Sequence, residues 1–132
     1  MNLIDIINRI ATRQRWPLRQ DQNGEIRVEV TLDAGRTQVV TLALGNDPEG
    51  DAVAYVWSVA GHISVARDLA AVMRYSVRLS YGCTAIKDDE VIVKHSLRVA
   101  GSDDNSFRKA MFFVARAADT LEAEAYGGAD NN

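Results

Sequence analysis

The residues that could do chemistry are few: two histidines, His62 and His95, one cysteine, Cys83, and carboxylates gathered mostly in turn segments. Neither histidine has a second ligand at the i+4 helical spacing that a metal site uses. His62 stands in a turn beside Gly61, and His95 lies on a strand between Lys94 and Ser96, so neither has an evident charged partner that would tune it for proton transfer. Asp47, Glu49, Asp51, Asp88, Asp89, Glu90, Asp103 and Asp104 are spaced as solvated turn charge, without the closing Glu of a calcium loop. The glycines at 24, 35, 45, 50 and 61 are spread one per turn, which backbone sterics explain and a phosphate loop does not. No serine is framed as a nucleophile elbow. The pattern predicts no catalytic residue, no metal ligand and no cofactor.

Three further side chains need placing. Cys83 falls in an apolar-rich segment, where a thiol is expected to be a small buried hydrophobe. Trp57 shares a strand face with Tyr55 and Val59 and is expected in the core. Trp16 sits where a first helix ends, before Pro17; an aromatic there either packs under the loop or forms the rim of a binding groove, which makes it a candidate protein-binding residue.

The elements that must position these residues are legible from periodicity. Leu3, Ile6, Ile7 and Ile10 recur at helical spacing, giving a first helix over residues 3–15 that Pro17 stops. Arg9 and Arg13 lie one turn apart, with Asp5 a turn before, as on a solvated, salt-bridged helix face. After the turn at Asn23-Gly24, Ile26, Val28, Val30 and Leu32 alternate with polar residues as a half-buried strand. A second strand over residues 37–44 places Val40, Leu42 and Leu44 on one face and Val39, Thr41 and Ala43 on the other. A third, over residues 52–60, carries Val53, Tyr55, Trp57 and Val59 on one side and Ala54, Val56, Ser58 and Ala60 opposite, apolar enough for both sides to be covered. Ser64 is placed to cap a second helix with Val65, Leu69, Val72 and Met73 inward and Arg67, Asp68 and Arg74 outward. Alternation then predicts a strand over residues 77–83, a charged turn at 87–90 and a last strand over 91–99. A closing helix runs to about residue 126 on a stripe of Phe107, Met111, Val114, Ala118 and Leu121, and residues 127–132 read as a frayed tail.

The sum is one α+β domain over residues 1–126. It is a single antiparallel five-stranded sheet with three helices, in the order α-β-β-β-α-β-β-α, because tight hairpins demand antiparallel neighbours. At 132 residues, 47% hydrophobic and 25% charged, the composition is that of a globular chain with its own core. No apolar run approaches the roughly 18 residues that span a bilayer, and the start lacks a signal-peptide pattern, so no membrane association and a cytoplasmic location are expected. A net charge of -3 speaks against nucleic acid as partner.

This order of elements resembles the type III secretion chaperone-like fold and its YbjN-like relatives. The likeness is supported by Ile7-Asn8-Arg9-Ile10 in the first helix, the strand after Gly24, and Ala118-Asp119-Thr120-Leu121-Glu122 in the last helix. The resemblance implies a non-enzymatic, chaperone-like or regulatory homodimer that holds an extended peptide or protein partner on exposed apolar surface. Under it, partner contacts map to Trp16, Val39, Thr41 and Val56. A dimer contact maps to Leu69, Val72, Met73, Tyr75, Val77 and Leu79 on the second helix and following strand. Two alternatives stay open. One is a cone-shaped, cystatin-like pocket for a small apolar ligand or substrate, lined by Tyr55, Trp57, Tyr81 and His95; the other is a structural dimer that consumes its own apolar surface.

Overall fold

A computed structural model describes residues 2–66 and 68–125, without the side chains of Val65 and Ala125. Helix α1 (Leu3–Gln14) starts where the Asn2 side chain accepts the Asp5 N–H at 3.1 Å, and it buries Leu3, Ile7, Ile10 and Ala11. It ends in a left-handed Arg15 (φ 61°): Arg15 N–H donates to Thr12 O at 3.3 Å and Trp16 N–H to Ala11 O at 2.9 Å. This is the paired hydrogen bonding of a Schellman cap, which turns the next side chain back onto the helix.

The sheet has six strands, not five: β1 (Leu18–Gln20), β2 (Ile26–Thr31), β3 (Thr37–Asn46), β4 (Ala52–His62), β5 (Cys83–Lys87) and β6 (Glu90–Arg98). Their spatial order is β1-β2-β3-β4-β6-β5, and every neighbour is antiparallel. The additional strand β1 pairs three residues with β2, too short a run for alternation to register.

The expected strand over residues 77–83 is displaced. Residues Tyr75–Arg78 form a 3-10 turn, and the chain reaches β5 only after Gly82, whose φ of +88° breaks an extended run. An added Cβ there would lie 2.6 Å from the Lys94 carbonyl oxygen, so glycine is what lets β5 dock on β6. The turn between these strands is Asp88-Asp89, where Asp88 takes a left-handed φ of 55° that Asp tolerates.

The second helix is also shorter than expected. Helix α2 spans Leu69–Arg74 and is capped by Asp68, not Ser64. Ser64 belongs instead to a separate 3-10 turn, where its N–H donates to His62 Nδ1. Arg67, and the tail at residues 127–132, lie outside the described residues.

Helix α3 (Asp104–Ala125) crosses the sheet on the side of α1. Asp103 caps it by accepting the Ser106 N–H at 2.8 Å, which with the Ser106 hydroxyl holds its carboxyl below the usual range. Phe107, Met111, Val114, Ala118 and Leu121 are buried, the stripe that the spacing predicts. They meet Val28, Val40, Leu42, Val56 and Val93 from the sheet, alternate residues of their strands and so on one face. The basic pair Arg9 and Arg13 clasps Asp104 on α3, Arg9 through two bonds of 2.6 Å, so this charge ties α1 to α3. Ser58, the buried polar side chain of β4, donates to Val39 O and accepts from Gln38, whose amide also reaches Val59 O beside the β4–β6 register shift.

Candidate functional site

With α1 and α3 on one face, the other face of the sheet is left without a helix. Its middle is built by alternation: Val39, Thr41 and Ala43 on β3, Tyr55, Trp57 and Val59 on β4, and Ile92 and Lys94 on β6. Trp57 is therefore on the outer face, half-buried, and not in the core as its neighbours suggested. Its cross-strand partners are Thr41 and Lys94. A Cβ at Gly45 would stand 2.5 Å from Tyr55 Cε2, so the glycine makes room for the tyrosine ring.

Two lysines lie over these rings: Lys94 Nζ is 4.8 Å from the Tyr55 centroid and Lys87 Nζ 5.4 Å from that of Trp57. Hollows flank this ridge, one of about 400 Å³ toward β5 and one of about 710 Å³ toward β1 and β2. Cys83 also faces this side, opposite Lys94, and is exposed; β5 is an edge strand with no layer above it, so the expected burial does not occur.

A second surface lies along α2 and the 3-10 turn after it. Leu69, Met73 and Val77 are 42%, 67% and 89% exposed, while Val72 and Tyr75 are buried and Leu79 is half-buried against the core. The predicted dimer set therefore divides into an outward strip and an inward one. Beside it, a groove of about 480 Å³ runs between α3 and the segment before β5, with Tyr75, Tyr81, Phe113 and Arg116 among its walls. Burial raises the Tyr75 hydroxyl above its ordinary value.

Among the predicted partner contacts, Val39 and Thr41 lie on the helix-free face, as a contact surface requires. Trp16 and Val56 do not. Trp16 is 6% exposed because the Schellman cap folds it under α1, and Val56, opposite Leu42 and His95, points at the helices.

The small-ligand alternative fails on placement. Tyr55 and Trp57 are on the outer face, whereas His95 is on the helix side with Tyr81, their rings 5.5 Å apart and Tyr81 stacked on Phe113. Tyr55 and Trp57 are thus separated from His95 and Tyr81 by the sheet itself. Burial lowers the proton affinity of His95, and no charged group contributes to that shift. Among the described residues, no three His, Cys, Asp or Glu side chains converge on a point where a cation would sit.

The outer aromatic ridge was visible as a face, but not as an outer one. Alternation tells which residues share a side and is silent on which side the helices take when both are apolar.

A known architecture accounts for this arrangement. No protein-family model and no curated protein matches the chain. Solved structures do. One is a chain from the crystal structure of the Yersinia pestis type III secretion chaperone SycH in complex with a stable fragment of YscM2. It superposes with a TM-score of 0.56 at 19% identity, over 89% of this chain and 97% of that one. Another, from the ExsC–ExsE complex, gives a TM-score of 0.62 at 19% identity over 95% and 97%.

This is a secretion chaperone-like fold. It contains three helices and one antiparallel sheet of six strands, and no helix among the described residues is long and apolar enough to cross a membrane.

Proposed function

We propose that the protein is a non-enzymatic, cytoplasmic protein-binding module, a chaperone-like homodimer that holds an extended segment of a partner protein. The observation that carries this reading is the fold shared over nearly the whole chain with chains crystallised in complexes, one of them a secretion chaperone with a fragment of another protein. YbjN-like kinship, inferred from short segments of α1 and α3, belongs to the same proposal. Holding an extended segment needs backbone edges and apolar pockets, not a nucleotide or a metal.

The outward strip of α2 and its following turn supports the dimer. Leu69, Met73 and Val77 are large, exposed and close in sequence, and Ile86 on edge strand β5 is exposed as well. Exposed apolar groups clustered at one edge are what self-association covers. Val72 and Tyr75 hold the strip from beneath and Leu79 continues it toward the core.

Light scattering on the purified chain tests this directly. A dimer at about 10 μM that becomes a monomer in Met73→Glu and Val77→Glu, with unchanged thermal unfolding, is expected, since substitutions at exposed positions shift stability by only about 0.5 kcal/mol. A monomeric parent chain would overturn the dimer.

A further inference from the structure

We propose that the helix-free face of the sheet, centred on Tyr55, Trp57, Lys87 and Lys94, docks an extended acidic segment of a partner protein whose carboxylates alternate along one side and are flanked by apolar residues. This rests on the protein-binding reading above and adds to it the surface and the chemistry of the segment.

The argument begins with charge. The chain as a whole is acidic, at -3. Yet the middle of this face holds two ammonium groups, and among the described residues Lys94 meets no carboxylate, while Lys87 has Asp88 at 3.6 Å and stands directly across the β5–β6 ladder from Glu90. The other acidic side chains of this face, Glu25 and Glu29, stand toward β2, where Glu25 is paired with Arg27. A centre with two ammonium groups, one of them meeting no carboxylate among the described residues, is complementary to an anionic visitor.

Geometry narrows the visitor to an extended chain. Tyr55 and Trp57 are two residues apart on β4, so the rings that carry the two ammonium groups stand roughly 7 Å apart. Side chains at i and i+2 of an extended segment repeat at the same roughly 7 Å. A helix presents same-face side chains one turn apart, with a pitch of about 5.4 Å, and fits this pair less well. Carboxylates at i and i+2 would therefore reach both lysines, and an apolar residue beside them would enter the hollow toward β5, between Ala43, Ala85 and Ile92. As each ammonium swings onto a carboxylate, the ring beneath it is uncovered for apolar contact.

The same features disfavour a second copy of the chain as occupant, because two-fold packing of this face would set its lysines against one another. A flat anionic bilayer would leave the hollows on either side of the ridge unfilled.

The test uses the full chain and a synthetic extended peptide of about 12 residues, roughly 40 Å long. The peptide carries Glu at two alternate positions flanked by Leu and Val, and a counterpart carries Lys for Glu. Binding is read from Trp57 emission, with Trp16 buried as a constant background, and from peptide anisotropy. Saturable binding is expected at least about tenfold tighter for the Glu peptide than for the Lys peptide, weakening as salt screens the pairs. Lys87→Glu with Lys94→Glu is expected to reverse that preference, and Lys94→Met, which keeps an apolar stem, to weaken the Glu peptide several-fold.

No saturable binding, equal binding of both peptides, or indifference to these substitutions would overturn the proposal. So would tighter binding of phosphatidylserine vesicles than of the Glu peptide, through the same lysines. Scattering on the same samples separates the two readings: a dimer that ignores the Glu peptide sinks only the docking surface, and a monomer that takes it sinks only the dimer.

Discussion

Replacing Trp16 by alanine is expected to unfold the protein at lower temperature and not to act on partner binding in any direct way. The indole is 6% exposed and sits in the core with Ile7, Ile10 and Val28. Truncating a buried Trp to Ala costs about 3–5 kcal/mol, the lost transfer energy plus that of the cavity left behind. For a chain of 132 residues the unfolding entropy near the midpoint is roughly 0.28 kcal/mol per kelvin, so the midpoint should fall by about 10–18 °C. Since a domain of this kind has only about 5–15 kcal/mol in all, the variant keeps a much reduced margin at 20 °C, and none where the parent stands at the low end of that range. Trp16→Phe, which keeps a ring under the cap, should lose less than half as much. Thermal unfolding followed by circular dichroism measures both. A Trp16→Ala variant within about 1 kcal/mol of the parent would refute the reasoning, for it would put the indole outside the cavity-forming core.

Arg15 holds a left-handed conformation at the end of α1, so Arg15→Gly should raise stability by up to about 1 kcal/mol in denaturant titration, and a loss would argue against the cap geometry. Gly82→Ala should cost more than about 2 kcal/mol, because the added Cβ meets the Lys94 carbonyl oxygen at 2.6 Å in a φ region that alanine avoids; an unchanged midpoint would mean that β5 docks otherwise. Burial holds His95 below the ordinary histidine value of 6.5, so the unfolded chain takes up its proton more readily than the folded one. Its contribution is complete above that pH and is lost as pH falls through the unfolded and then the folded pKa; His95→Gln should therefore flatten the fall of the midpoint as pH drops below the ordinary histidine value, and an unaltered slope would contradict this.

Much of the fold was legible because its long elements obey one period each. Helix α3 repeats its apolar stripe over about four turns, and β2 alternates without interruption, so side-chain spacing alone places both. Elements that depend on single backbone angles were not legible. The cap at Arg15 uses a left-handed residue that is not glycine, and without that signal Trp16 could be read as a rim residue. The alternation of Val77, Leu79, Tyr81 and Cys83 imitates a strand until Gly82 takes a positive φ. The candidate site suffered from a different ambiguity. Val39, Thr41 and Trp57 were correctly grouped by face on their own strands, but Val56 was assigned to partner contact while it packs beneath α3.

The choice of inner face follows from side-chain size, not from hydrophobicity. On β4 the inward residues are Ala54, Val56, Ser58 and Ala60, and α3, which packs on this side of the sheet, buries Ala110, Ala115, Ala117 and Ala118 among its larger residues. Small residues on both sides let a helix lie close to a sheet, and Tyr55 and Trp57 pointing inward would hold the two layers apart. The large rings are thereby displaced to the side without a helix. There each lies under a lysine, which shields its face from water with an alkyl stem and a cation–π contact while keeping the ammonium group in solvent. A solvated sheet face specified only for solubility would carry Thr, Lys and Glu at such central positions. Aromatic residues under movable cations instead give a surface that is wet when free and becomes apolar when an acidic chain draws the cations aside.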